Sequence, residues 1–446
     1  MASHLLRRLL VLGWAFLLAL GTLPGLASPT RAPVSRIDVF PVRGAITPVI
    51  ALYLGRSLDQ AEKDGATAAV IALDTPGGLD SAMRDIIQHM QASRIPVIVY
   101  VSPAGGRAAS AGAFITEAAD VAAMAPNTAI GAASPVGSGG EDIQGTMKHK
   151  VTNDAAAYIR GLATSHHRNA DWAERAVRKA VSLNSEEAVK QHVVDLTAPD
   201  LPTLLDRIDG RVVPVGGHPV TLHTRHAAVT TLPMTGLEEA LQVLSNPSVA
   251  LVLLNLGMLG LFFELSNPGL ILPGIIGGLC LLLGLFSMGM LPVNVAGLAL
   301  IGFAFLLFIA ELFIPTYGGL AVGGIISLVL GALMLIAPGT PGFEVSRPLI
   351  ATIAGTTGAL VALMVTMAVR AQRRQVTTGS EGLVGAIAEA RTPLDPEGQV
   401  FLKGERWRAV SLDGSVPVGG RVQVRRMDNL TLFVVAVAEQ PLGGPT

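Results

Sequence analysis

Residues 68–78 read AAVIALDTPGG: an apolar run, Ala68–Asp74, then Thr75-Pro76-Gly77-Gly78, then the helical pattern Leu79–Ser93. A run of this length without polar alternation suits a strand covered on both faces, as in a parallel sheet. Paired glycines between strand and helix leave the turn's backbone bare, so N–H groups can point outward and another chain can approach closely. By itself such a turn is also what any tight connection needs. A second apolar run, Pro96–Val101, follows the helix. Strand, turn, helix and strand in this order predict an α/β domain, and the same rhythm extends over residues 29–230, which carry most of the chain's polar side chains.

Composition bounds the rest. The chain has 446 residues, 50% of them hydrophobic and 15% charged, with a mean hydropathy of +0.53. It is longer than one ordinary domain and too apolar to lie wholly in water. Lys and Arg number 32 against 33 Asp and Glu, so no net field holds a polyanion, and nucleic-acid binding is disfavoured. Cys280 is the sole cysteine, which excludes an internal disulfide, a Cys-rich zinc site and a Cys–Cys redox pair. No motif calls for a metal or a cofactor, and none is expected.

Arg7 and Arg8 precede the apolar run Leu9–Leu20, and Gly25-Leu26-Ala27 supplies small residues, so residues 1–28 read as an export signal, with an uncleaved anchor as the alternative. From Pro247 to Gly342 the only charged side chains are Glu264 and Glu311. Apolar blocks broken by Pro and Gly place membrane spans near 248–265, 270–290, 293–313, 317–337 and 348–369, within a membrane domain at 247–370. Five spans put the two ends on opposite sides. Arg370, Arg373 and Arg374 mark the cytoplasmic end, and residues 29–230 are then extracytoplasmic, at the cytoplasmic (inner) membrane of the cell.

The segment Glu264-Leu265-Ser266-Asn267-Pro268 recurs 47 residues later as Glu311-Leu312-Phe313-Ile314-Pro315, which supports a repeat of two spans. Both glutamates sit at helix ends, where a carboxylate beside a turn is the plain reading and an ion or partner contact the sharper one. Gly257, Gly277, Gly278, Gly323 and Gly324 are expected to permit close helix packing. Residues 231–246 form a linker in which Leu237, Leu241 and Leu244 share a helical face that either lies along the bilayer or packs on the protein. Short strands at Gly382–Ala388, Gln399–Leu402, Glu405–Ser411, Arg421–Arg426 and Thr431–Ala436 make residues 376–446 a five-stranded all-β barrel. With seven Lys/Arg, eight Asp/Glu and few aromatics there, the barrel lacks a nucleic-acid groove and suits protein docking.

Chemistry concentrates in the α/β domain. In Gly106-Arg107-Ala108-Ala109-Ser110-Ala111-Gly112, Ser110 follows a strand and a glycine turn and opens a small-residue helix. Its hydroxyl is placed where N–H groups and the helix dipole favour an oxyanion, which is also where an N-cap serine belongs. A nucleophilic serine needs a base. None of the nine histidines falls in a motif, and the pair His166-His167 reads as solvated. A lysine titrates near ~10.4 in water, so to act as a base it needs an apolar, sequestered pocket. Lys150 begins the helical run Lys150-Val151-Thr152-Asn153-Asp154, and Lys148 cannot share its face. Ile115, Ala123, Met124 and Ile130 are candidates to dry its surroundings, or they are core.

Taken together, Asp74–Gly78, Ser110 within Ala-Ala-Ser-Ala-Gly, and Lys150 within Lys-Val-Thr-Asn-Asp resemble the long NfeD family of membrane-bound serine proteases. The family's exported domain is similar to the Clp-protease/crotonase fold. Gly-Leu-Val-Gly at 382–385 and Gly-Glu-Arg-Trp at 404–407 resemble its oligonucleotide-binding-type (OB-type) barrel, so the match runs through the mature chain in order. The resemblance implies a Ser-Lys dyad with Ser110 as nucleophile and Lys150 as general base. It also implies an oxyanion hole from backbone N–H groups of Gly77, Gly78 and Ala111. The implied substrate is a hydrophobic segment of a membrane-associated partner of the stomatin or flotillin type, and self-association into a homo-oligomer is left open. The rival readings are a membrane scaffold for such a partner and a crotonase-like acyl-thioester enzyme, whose carboxylate base is not evident.

Overall fold

The computed structural model describes residues 35–437 apart from 138–142, 267–268, 270, 315, 337–341, 344 and 373–379. The expected export signal lies outside the described residues. The chain runs β1 (Arg36–Arg43), α1 (Pro48–Lys63), β2 (Ala68–Asp74), α2 (Asp80–Ala92), β3 (Val97–Val101), β4 (Arg107–Ala109), α3 (Ala111–Glu117), β5 (Val121–Met124) and β6 (Ala129–Gly131). It continues through α4 (Gly145–Ser165), α5 (Ala170–Arg178), β7 (Ser182–Asn184), α6 (Ser185–Lys190), β8 (Leu196–Thr197), α7 (Leu201–Ile208), β9 (Val212–Val215), β10 (His218–Thr221) and β11 (Ala228–Thr231).

Six strands form a parallel sheet in the order β11-β1-β2-β3-β5-β8, and β4-β6-β7 form a smaller sheet beside it. This is the Clp-protease/crotonase-like domain. The period of two along β2 divides its side chains between two cores. Ala69, Ile71 and Leu73 pack with Leu54, Met83 and Phe114 from α1, α2 and α3, while Ala68 and Val70 pack with Leu204 and Ile208 of α7. Both faces are therefore covered, which is why β2 carries no polar alternation.

α8 (Gly236–Leu244) is tied to α1 by its polar residues. Arg56 donates to both carboxylate oxygens of Glu238 at 2.7 and 2.9 Å, and the Thr47 hydroxyl donates to Gln242 Oε1 at 2.9 Å. The helix thus packs on the domain as a strut, and Leu237 is left 71% exposed. Five apolar helices follow: α9 (Pro247–Ser266), α10 (Leu272–Gly289), α11 (Val295–Phe313), α12 (Gly319–Met334) and α13 (Arg347–Gln372). Four are long and apolar enough to cross a membrane, whereas α12, at 16 residues, is shorter.

Glycine governs their packing. A Cβ on Gly260 of α9 would lie 2.7 Å from the Cα of Gly277 in α10, so these backbones touch only because neither residue has a side chain. Gly257 and Gly324 likewise lie against a neighbouring helix, while Gly278 faces open space and Gly323 makes only an ordinary contact. Glu311 accepts from Thr316 Oγ1 at 2.7 Å, Gly318 N at 2.8 Å and Ala321 N at 2.9 Å. It satisfies N–H groups that the start of α12 would otherwise leave unpaired, so the plain reading of this carboxylate is sufficient. Its repeat counterpart Glu264 lies against Gly274.

The C-terminal unit is a closed barrel of β12 (Ile387–Ala390), β13 (Glu397–Leu402), β14 (Glu405–Ser411), β15 (Arg421–Asp428) and β16 (Thr431–Ala436), in the order β12-β13-β14-β16-β15. β14 and β16 run parallel and the other neighbours antiparallel, which is the OB-type arrangement. One expectation is corrected: Gly382 and Leu383 belong to a 3-10 turn, and the first strand begins at Ile387. Gly385, with φ of 85°, holds a conformation a strand residue does not adopt.

Candidate active site

The turn after β2 is strapped to β4, and Ser110 is the residue that β4 delivers. Thr75 N donates to Arg107 O at 2.7 Å, Ala109 N to Thr75 O at 3.1 Å, and Arg107 N to Asp74 Oδ1 at 3.0 Å. Gly77 then faces Ser110 directly: a Cβ on Gly77 would sit 2.7 Å from Ser110 Cβ and 3.2 Å from Oγ. Gly78 is equally constrained, since its Cβ would strike the backbone of Ile46 at 2.2 Å. The two glycines have separate steric reasons to be there.

Ser110 occupies φ 52°, ψ −117°, a conformation that strains any residue with a side chain. Its N–H donates to Gly131 O at 2.9 Å, which anchors the turn on β6. The N-cap reading fails here, because Ser110 makes no side-chain cap hydrogen bond and its backbone is not in the extended conformation of a cap. Ser110 Oγ has no hydrogen-bond partner among the described residues.

The N–H groups around it differ. Gly77 N donates to Thr75 Oγ1 at 3.0 Å. Ala111 N opens α3 and has no intrahelical acceptor, and no acceptor for Gly78 N occurs among the described residues.

The opposite end of α3 is closed by a buried arginine. Arg168 donates to the carbonyls of Thr116 at 3.2 Å, Glu117 at 2.9 Å and Ala119 at 2.7 Å, and pairs with Asp195 at 2.9 Å. A cation there completes the helix dipole whose positive end lies at Ser110. Burial raises the Glu117 carboxyl to about 8 against the opposing effect of Arg168. Burial likewise lowers His166 to about 4, with Arg168 adding to the effect. His166 is therefore a neutral group beside this ion pair, half-buried rather than solvated, and among the described residues no histidine lines the cavity at Ser110.

That cavity measures about 860 Å³ and is lined by Ser110, Gly78, Leu79, Met83, Phe114 and Lys150, among others. Lys150, Val151, Asp154 and Ala155 present one face of α4 to it, and Lys148 does not line it. Lys150 is exposed, and no hydrogen bond joins it to Ser110 among the described residues. Ile115, Ala123, Met124 and Ile130 are all buried in the two cores and do not line the cavity, so they do not dry the lysine. Strand and helix-interior positions point them away.

α4 is fixed by residues whose role the sequence did not reveal. Arg84 of α2 pairs with Asp154 at 2.5 Å and with Asp80 at 2.8 Å, and its guanidinium lies 4.6 Å from the centre of the Tyr158 ring. Asn153 accepts from Arg178 at 2.6 Å. The last two residues of Lys150-Val-Thr-Asn-Asp thus attach the helix that carries the lysine. Pro292 and Phe343, from connections between membrane helices, also line the cavity, and no local sequence signal marked them.

Three family models match the chain in order: the NfeD1b N-terminal domain over residues 36–203, the NfeD integral membrane domain over 248–367, and the NfeD-like C-terminal, partner-binding domain over 380–435. The membrane-bound protease PH1510 of Pyrococcus horikoshii is 37% identical over 431 residues, which cover 94% of this chain and 97% of that protein. The chain belongs to the NfeD family. Another NfeD relative, membrane protein NfeD1b of Bacillus subtilis, is 27% identical over 452 residues, covering 93% of this chain and 95% of its own. Among solved structures, a lysine-to-alanine mutant of the 1510-N membrane-bound stomatin-specific protease, in complex with a substrate peptide, has 37% identity and a TM-score of 0.44 over 47% of this chain and 97% of that one. With its NfeD membrane domain and its apolar helices, this NfeD protein is a multi-pass membrane protein.

Proposed function

We propose that this NfeD protein is a membrane-bound serine endopeptidase acting through Ser110 and Lys150 on apolar segments of a stomatin- or flotillin-like membrane protein. The observation that carries the reading is Ser110: strained, bonded through its hydroxyl to none of the described residues, and set at the positive end of α3 in a cavity shared with Lys150. The homology to PH1510, named a membrane-bound protease, supports it.

In this mechanism Ser110 Oγ attacks an amide carbonyl as its proton passes to Lys150 Nζ. The oxyanion is held by the N–H groups of Gly78 and Ala111, within a turn that Gly77 keeps clear. Lys150 then protonates the leaving amine, and water, deprotonated by the same lysine, attacks the acyl-serine ester and frees Ser110. Because Lys150 is exposed in the free chain, the apolar substrate itself supplies the dry surroundings a neutral amine needs. Such a substrate fits a cavity walled by Leu79, Met83 and Phe114.

Counting the shorter α12 as a span beside the four longer helices gives five, and with Arg370, Arg373 and Arg374 after the last this count supports an extracytoplasmic α/β domain and a cytoplasmic barrel at the inner membrane. The barrel, matched by a partner-binding family model, would dock the stomatin-like partner.

Incubating the detergent-solubilised protein with a partner-derived apolar peptide tests the reading. Hydrolysis that disappears in both Ser110→Ala and Lys150→Ala is the expected result. The exposure of Lys150 favours one rival, a scaffold that binds the partner without cutting it. Peptide binding without hydrolysis, unchanged in both variants, would support that rival.

A further inference from the structure

Phe343 lies on the connection between α12 and α13, on the side of the membrane helices that meets the α/β domain. An aromatic ring on such a connection would ordinarily face water or lipid headgroups, yet Phe343 is 1% exposed and lines the cavity that contains Ser110. The preceding residue explains how it gets there. Gly342 has φ of 84°, and a Cβ on it would lie 2.8 Å from Ala45 Cβ and 3.2 Å from Pro76 Cγ. Gly342 therefore rests directly on Pro76, the residue before the Gly77-Gly78 turn.

The end of α12 is tied down as well. Asn294 N, at the start of α11, donates to Leu335 O at 2.8 Å, joining the α10–α11 connection to the end of α12. Pro292 of that same connection lines the cavity too. The apolar lining of the cavity that holds Ser110 is thus completed by the membrane domain.

We infer that Phe343 forms one wall of the subsite that receives an apolar substrate side chain beside the scissile bond. This rests on the peptidase reading above and deepens it: the side-chain preference is set by a membrane-domain residue, for aliphatic side chains of Leu or Val size. A phenyl wall gives such a chain dispersion contacts and no partner for a charge. It also limits the room left for a bulkier ring.

The test compares kcat/KM for two apolar peptides that differ only in Leu or Phe at the residue preceding the cleaved bond. Full-length wild type, Phe343→Ala, Phe343→Leu and Phe343→Trp are assayed in detergent, with Ser110→Ala as the control for serine-dependent cleavage. Opening the wall in Phe343→Ala raises the Phe/Leu ratio by roughly tenfold or more, the scale on which pockets discriminate side-chain size. Phe343→Leu falls between, and Phe343→Trp lowers the ratio. The Leu and Trp forms keep an apolar side chain there and carry the test if the alanine form does not fold. An unchanged ratio overturns the inference, including the case in which Phe343→Ala speeds or slows both peptides equally, as removal of a plug would. Wild type that shows no Ser110-dependent hydrolysis sinks the peptidase reading itself, a separate result.

Discussion

Adding one methyl group at Gly77 tests whether the turn after β2 is shaped for Ser110. Gly77 has φ of 126°, where an L-residue is strained by about 1–3 kcal/mol. The new Cβ would lie 2.7 Å from Ser110 Cβ, against an ordinary carbon contact of about 3.5–4.0 Å, so the serine retreats by roughly 1 Å. A displacement of that size at a reacting atom lowers the rate by about a hundredfold. Gly65 provides the control: its φ is 71° and a Cβ there meets nothing within 4 Å. Gly65→Ala carries a backbone strain of about 1–2 kcal/mol without touching the site. The assay is kcat/KM on an apolar peptide beside a thermal melt of each variant. Gly77→Ala is expected to lose about two orders of magnitude in kcat/KM while Gly65→Ala retains wild-type activity. If folded Gly77→Ala cleaves as fast as Gly65→Ala, the assignment of this turn to the nucleophile is wrong.

Other consequences follow from the same geometry. Asp154→Ala removes the tie between Arg84 and α4 nearest Lys150, leaving the Tyr158 contact; the pair is exposed, so stability changes by less than about 1 kcal/mol in a melt, while kcat falls severalfold because Lys150 is held less firmly. Glu117 is protonated in the fold up to about pH 8 but ionises near 4.5 when unfolded. Its contribution to stability is therefore full below pH 4.5 and lost as pH rises through 8, at no more than about 1.4 kcal/mol per pH unit for one proton. His166, held near 4, contributes with the opposite sign only below its unfolded value of 6.5. Between pH 6.5 and 8, denaturant melts of the wild type should show falling stability, and Glu117→Gln should remove that fall. Arg168→Ala leaves three buried carbonyls without their donor and Asp195 with Arg211 as its remaining partner, and should destabilise the domain by about 3–5 kcal/mol, read as a shift in denaturant midpoint.

The sequence made the sheet legible where its physical signature was local. β2 occupies the residues its apolar run marked, and α2 and β3 begin one residue inside the runs that predicted them. Period and turn chemistry suffice for such elements because both faces of β2 are buried. The barrel was readable by alternation instead, since its strands bury one face, except at its first strand, where Gly385 holds the chain in a turn that hydrophobicity alone does not register.

The site was readable only in part. Ser110 could be narrowed to two roles, and its strained backbone, which removes the capping role, is set by β6 and by Gly77 rather than by its own neighbours in sequence. Small apolar residues near the motifs were ambiguous between lining and core, and Ile115, Ala123, Met124 and Ile130 proved to be core. Phe343 and Pro292 were beyond sequence reasoning altogether, since only the docking of the membrane helices on the α/β domain brings them to the cavity.

The central claim is that Lys150 activates Ser110. It is tested most directly by labelling the detergent-solubilised protein with a fluorophosphonate in the presence of an apolar peptide and locating the adduct by mass spectrometry. The account predicts a single adduct on Ser110 whose rate of formation collapses in Lys150→Ala. Labelling of Ser110 at an undiminished rate in folded Lys150→Ala would contradict it.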